Sequence, residues 1–140
     1  MKLSSKGRYA VMGLADIARF NQNEPISLRD ISLRQGISLV YLEQLFLKLK
    51  KNNIVKSIRG KKGGYILSRN ASDIKISDIF FAVDEKVKTI GCEKHSKTGC
   101  NGRSSKCISH NLWDELEDYL NEFFKKKSLK DLINNNENRT

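Results

Sequence analysis

At 140 residues the chain has room for one domain with a modest core, or for a small domain with a dimerisation arm, and two full domains are excluded on size. Lys and Arg number 26 against 16 Asp and Glu, a formal net charge of +10, so a polyanion is the natural partner: nucleic acid first, an anionic membrane surface second. An odd count of 3 cysteines and the lack of a long apolar run argue against a disulfide scaffold and a transmembrane span, and the expectation is a cytoplasmic protein with no membrane partner.

The apolar stretch from Tyr9 to Ala18 follows Lys2, Lys6 and Arg8 and mimics a signal peptide, but Asp16 and Arg19 interrupt it and no small-residue cleavage site follows. The near-helical recurrence of Tyr9, Met12, Ala15 and Ile17 predicts a first helix from about Ser4 to Phe20, closed by Asn21 to Pro25. Ser27 is placed to cap a short second helix, with Asp30 in capping-box position; it carries Leu28, Ile31 and Leu33 and stops at Gly36. Ser38 then caps a third helix, Leu39 to Lys51, on which Leu42, Leu45, Phe46 and Leu49 form one apolar stripe. Helix, glycine-containing tight turn, helix is the grammar of a helix-turn-helix.

Ile54, Val55 and Ile58, the turn Gly60-Lys61-Lys62-Gly63-Gly64, and the return Tyr65-Ile66-Leu67 predict a β-hairpin wing with a basic tip. A small helix from Ile76 to Val83 is expected to pack back on the core. Beyond a polar segment from Asp84 to Arg103, the residues Leu112, Trp113, Leu116, Tyr119, Leu120, Phe123 and Phe124 mark a long helix whose apolar stripe wants a partner, ending in Lys125 to Lys127. The expected fold is mainly α with a small β-hairpin: a winged helix-turn-helix over residues 1–83, a metal-binding loop over 84–110, and a dimerisation helix with a short capped turn over 108–133. Residues 134–140 are expected to form a disordered tail.

A helix-turn-helix lays its second helix in the major groove, so the face of the third helix opposite its leucine stripe should meet base edges. That face carries Ser38, Val40, Tyr41, Glu43 and Gln44. Gln44 can read adenine in bidentate fashion, Glu43 can accept from a cytosine amino group, and Val40 can touch a thymine methyl. Lys48, Lys50 and Lys51 suit phosphates. In the wing, Arg59 suits a narrow minor groove, while Lys61, Lys62 and the flexible Gly63 grip the backbone. Double-stranded DNA is therefore the expected partner, although helical spacing of leucines is core packing in any protein and a glycine turn can be an ordinary hairpin.

Cys92, Cys100, Cys107 and His110 lie within 19 residues that include every cysteine of the chain, with Gly91 just before them and Gly99 and Gly102 among them. Three thiolates and an imidazole can fill four positions of a metal centre. Cys107 and His110, three apart at a helix start, can point to one side, and a helix N-terminus favours the thiolate. Zinc is one reading, although its usual close cysteine pair is missing. His95 is a spare candidate whose ordinary place is an exposed loop.

The opening Leu3-Ser4-Ser5-Lys6-Gly7-Arg8-Tyr9-Ala10, the run Gln35-Gly36-Ile37-Ser38 with Tyr41-Leu42-Glu43-Gln44-Leu45-Phe46, and Arg59 with Gly63-Gly64-Tyr65 closely resemble the IscR-type family of iron-sulfur cluster regulators, over about residues 1–133. The resemblance implies a winged-helix homodimer with a [2Fe-2S] cluster per subunit, ligated by Cys92, Cys100, Cys107 and His110, loaded by an iron-sulfur cluster donor, and controlling cluster-assembly genes. Two features depart from the family pattern. Seven residues separate Cys92 from Cys100 and six separate Cys100 from Cys107, both longer than the family spacing. Val40 stands where the resembling proteins carry serine. Lengthening a loop this little costs roughly tenths of a kcal/mol in closure entropy, so loss of the site does not follow.

Two other functions compete. A redox enzyme would want a Cys-x-x-Cys pair, a phosphate-binding glycine loop or paired carboxylates near a nucleophile, and the chain has none of these. A regulator without a cluster, sensing thiol oxidation or holding zinc, is the other.

Overall fold

Three serines start the first three helices. Ser4 accepts from the Lys6 amide at 3.3 Å, Ser27 from Asp30 at 3.1 Å and Ser38 from Tyr41 at 3.4 Å. Each such cap contributes about 1 kcal/mol by satisfying an amide that the helix cannot. In the computed structural model, which describes residues 3–20, 24–88 and 108–137, they open α1 (Ser5–Arg19), α2 (Leu28–Gln35) and α3 (Leu39–Lys51). Gly36, in left-handed backbone at φ 67°, ends α2 and turns the chain toward α3.

Strands β1 (Val55–Ile58) and β2 (Gly64–Leu67) pair antiparallel, Val55 opposite Leu67 and Ile58 opposite Gly64. Tyr65 also exchanges backbone hydrogen bonds with Ile26, which docks the hairpin on the segment before α2. Only glycine fits at position 64, because a Cβ there would lie 2.3 Å from the Ile26 carbonyl oxygen. A 3-10 turn (Ala71–Asp73) leads into α4 (Ile76–Ala82). After the residues left undescribed come α5 (His110–Lys126) and α6 (Leu129–Glu137).

One core joins these elements. Ala10, Leu14, Ile17 and Ala18 of α1, Ile31 of α2, the expected stripe Leu42, Leu45, Phe46 and Leu49 of α3, and Ile76, Ile79 and Phe80 of α4 are all buried in it. Leu129 of α6 is buried there too, with Leu132 and Ile133 packed against it. With this anchoring α6 runs past Ile133 to Glu137, into the stretch 134–140 expected to be a disordered tail, of which 138–140 lie outside the described residues. Its start is also capped reciprocally: the Asp131 amide donates to Ser128 Oγ and the Ser128 amide to Asp131 Oδ2. Lys127 accepts from the Ile76 amide and Ile74 from the Leu129 amide, so the α5–α6 junction is stitched to the entrance of α4.

Asp16, buried on α1, ties α1 to α2. Arg34 donates to it twice, at 3.0 and 2.7 Å, and Gln35 once, at 2.9 Å. Burial pushes this carboxyl upward, but the hydrogen bonds from Arg34 and Gln35 and the charges of Arg34 and Arg19 outweigh it, leaving the group below its ordinary 3.8. The stabilisation from a depressed carboxyl is present above the ordinary value and is lost as pH falls through the folded one. Asp16→Asn should therefore cost about 1–3 kcal/mol at neutral pH. The partly exposed Arg34 keeps that cost toward the low end. The difference from the parent should shrink below about pH 3.8. Denaturant unfolding at both pH values checks this, and an equal cost at both would refute it.

Candidate nucleic-acid interface and metal-ligand residues

Burying Leu42, Leu45, Phe46 and Leu49 leaves the opposite face of α3 to solvent. Ser38, Val40, Glu43, Gln44 and Lys48 are all exposed along it, with Lys50 and Lys51 at its end. Ser38 Oγ already accepts the Tyr41 amide, so its hydroxyl serves the helix first. Tyr41 does not share the open face as expected. It is half-buried, its hydroxyl lies 3.1 Å from Ser5 Oγ, and its ring meets Tyr9 edge-on at 5.8 Å between centroids, so it seats α3 on α1. Lys48 pairs with Asp84 at 3.3 Å, but both side chains are solvated and such a pair contributes little, which leaves the ammonium available to a phosphate.

Leu47, 57% exposed on the same face, was not among the expected contacts. A leucine in a helix is counted with the core by default; the signal was its position off the stripe of 42, 45, 46 and 49. An exposed leucine beside Gln44 suits a thymine methyl.

At the wing, Arg59, Gly60, Lys61 and Lys62 are exposed and project as one cationic tip. Gly63 donates its amide to the Gly60 carbonyl at 3.0 Å, closing the turn. The exposed face of α3 and this tip both carry lysines, Lys48, Lys50 and Lys51 on one and Lys61 and Lys62 on the other. Their shared sign of charge, apart from Glu43, is what a duplex backbone demands.

Cys92, Cys100, Cys107 and the spare His95 lie outside the described residues. His110, the fourth expected ligand, is the first residue of α5 and only 1% exposed. Its Nε2 comes within 3.1 Å of Asp114 Oδ2, one helical turn on. That approach lacks hydrogen-bond alignment, and neither ring nitrogen has a hydrogen-bond partner among the described residues. A buried imidazole without hydrogen bonds is costly unless another group takes it up. A carboxylate beside one ring edge is the usual neighbour of a metal-bound histidine. The chemistry of this residue thus fits a metal ligand. No cluster of three metal-ligating side chains occurs among the described residues.

The comparisons with known proteins agree with this architecture. Residues 3–135 match the Rrf2 family, described as "Iron-dependent Transcriptional regulator". The chain is 48% identical over 137 residues to the HTH-type transcriptional regulator IscR of Photorhabdus laumondii subsp. laumondii, covering 98% of this chain and 82% of that protein. It is also 48% identical to the regulator of the same name from Escherichia coli K12, covering 98% and 83%. Among solved structures, T. potens IscR superposes with a TM-score of 0.78 at 33% identity, covering 100% of this chain and 92% of that one. CymR, the global cysteine regulator of B. subtilis, superposes with a TM-score of 0.79 at 28% identity, covering 96% and 97%. Among the described residues no helix is long and apolar enough to cross a membrane. A winged helix-turn-helix with a cationic wing, matched over nearly its whole length by transcriptional regulators, makes this chain a DNA-binding transcriptional regulator of the Rrf2 family.

Proposed function

We propose that the protein reads double-stranded DNA as a homodimer and that its reading responds to an iron-sulfur cluster, of the [2Fe-2S] type, held by Cys92, Cys100, Cys107 and His110. The observation that carries the cluster half is His110: a buried imidazole at a helix start, in the same short stretch of sequence as all three cysteines, with no hydrogen bond to satisfy it among the described residues. When bound, the cluster supplies a redox-active, oxygen-labile group whose presence reports iron-sulfur supply. Three thiolates and one neutral imidazole make the site one charge less negative than four thiolates, and so easier to empty. A dedicated iron-sulfur cluster donor would load it, and control of cluster-assembly genes is the response such a sensor serves.

On the DNA side, α3 enters the major groove. Gln44 reads adenine, while Val40 and Leu47 touch thymine methyls. Glu43 imposes a penalty: its exposed carboxylate is repelled by phosphate and is tolerated only where a cytosine amino group donates to it. Lys48, Lys61 and Lys62 hold phosphates, and Arg59 enters the minor groove.

The test is quantitative binding to a selected duplex across a salt series. The dimer should show a log-log slope on the order of −6 to −10. Arg59→Ala should weaken binding most where the flanks are A·T-rich, and Glu43→Ala should broaden the range of sequences accepted. An Arg59→Ala protein that binds every flank as the parent does would remove the wing from the interface.

A further inference from the structure

Glu85 is nearly buried, at 9% exposure, just past the end of α4. The chain reaches it through Asp84, a non-glycine residue at φ 59°, a left-handed conformation that aspartate tolerates better than most. Its Oε1 accepts from Ser4 Oγ at 2.6 Å and from the Gly7 amide at 3.1 Å, both in the opening turn of α1. Position 7 must be glycine for this to happen, since a Cβ there would lie 2.7 Å from Glu85 Cγ and 2.8 Å from the Phe80 ring. Lys6 adds a hydrogen bond from Nζ to the Asp84 carbonyl at 3.2 Å.

The opening turn of α1 has no acidic residue of its own and carries Lys6 and Arg8, the wrong sign for the positive end of a helix. Glu85 supplies the missing carboxylate from 78 positions away. The same turn holds α3 on its other side, through Ser5 to the Tyr41 hydroxyl and Tyr9 to the Tyr41 ring. Tyr41 stands in the first turn of α3, between Val40 and the pair Glu43 and Gln44. The first turn of α1 is thus clamped between Glu85 and the reading helix.

We propose that Glu85 is a positioning residue for DNA recognition: by capping α1 it fixes Ser5 and Tyr9, and through Tyr41 it sets the pose of α3. Glu85 stands seven positions before Cys92 in the sequence. The proposal rests on α3 as the reading helix.

The experiment uses the full-length protein with Glu85→Ala, Glu85→Gln and, as a stability control off this path, Asp16→Asn. Two quantities are read: amide hydrogen exchange in the first turns of α1 and α3, and the ratio of affinities for a selected duplex and a scrambled one. Glu85→Ala should speed exchange in both turns and lower the ratio about tenfold, within the usual range of one mismatched base pair, while binding to scrambled duplex is unchanged. Glu85→Gln keeps an acceptor for the Gly7 amide and should fall between; it carries the test if the alanine variant does not fold. Asp16→Asn should lower stability without changing the ratio. The proposal is overturned if both Glu85 variants keep the parent's ratio and α3 exchange, or if Asp16→Asn lowers the ratio as far at equal loss of stability. A parent protein that does not discriminate the two duplexes would instead overturn the assignment of α3, and the exchange data would still decide whether Glu85 orders its first turn.

Discussion

Replacing any one of Cys92, Cys100, Cys107 or His110 with alanine should abolish most of the visible absorption of protein purified without oxygen, and should bring iron and sulfide content close to zero. The expectation follows from ligand counting. A [2Fe-2S] core needs four protein ligands, and His110 offers ring nitrogens that have no hydrogen-bond partner among the described residues. Asp114→Asn should weaken retention more mildly, roughly 10–100-fold, because the carboxylate stands 3.1 Å from the imidazole and its charge favours a ligated ring. His95→Ala should change nothing. Loss of the spectrum on removing His95, with full retention on removing His110, would transfer the fourth ligand to His95. A colourless protein that holds zinc would favour the zinc reading of the same residues.

The second large effect concerns α5. Leu112, Tyr119 and Phe123 are 58, 69 and 51% exposed, and with Leu116 they recur at helical spacing along one side. The other side is occupied: Phe124 packs on Phe80 with ring centroids 4.9 Å apart. A contiguous exposed stripe of this kind on a small chain marks an interface, and two copies of one helix meeting across a two-fold axis would cover both stripes. Tyr119→Glu combined with Leu116→Glu should give a monomer at micromolar concentration. Affinity for a near-palindromic duplex should then fall by at least about a hundredfold, since the second half-site is no longer delivered by the first. Sedimentation and duplex titration read both outcomes. A parent protein that is monomeric with and without its metal would refute the dimer.

What could be read from the sequence was local. Ser4, Ser27 and Ser38 signal helix starts because a cap needs only its own next few amides, and the α3 stripe is visible because 3.6-residue periodicity is a property of neighbours. The wing was legible for the same reason, from alternation and glycines. Contacts between residues distant in sequence were not. Nothing near Tyr41 announces that Ser5 will engage its hydroxyl, and nothing near Glu85 announces Gly7. The extension of α6 to Glu137 was not legible either, because residues 134–137 are polar while the burial of Leu129 and the packing of Leu132 anchor the helix that runs into them. Of the four proposed ligands, His110 lies among the described residues, buried at the start of α5; the three cysteines were legible by residue type and through the family resemblance.

The most direct measurement is a titration of one selected duplex, at fixed salt and without oxygen, by the same preparation before and after chelation of its iron. Iron and sulfide are assayed in each sample. A cluster-responsive regulator predicts a brown protein with iron and sulfide in equal amounts, and binding curves that differ by at least about tenfold between loaded and stripped forms, the usual scale of a coupling free energy between two sites. Superimposable curves on a duplex that the protein binds tightly would contradict it.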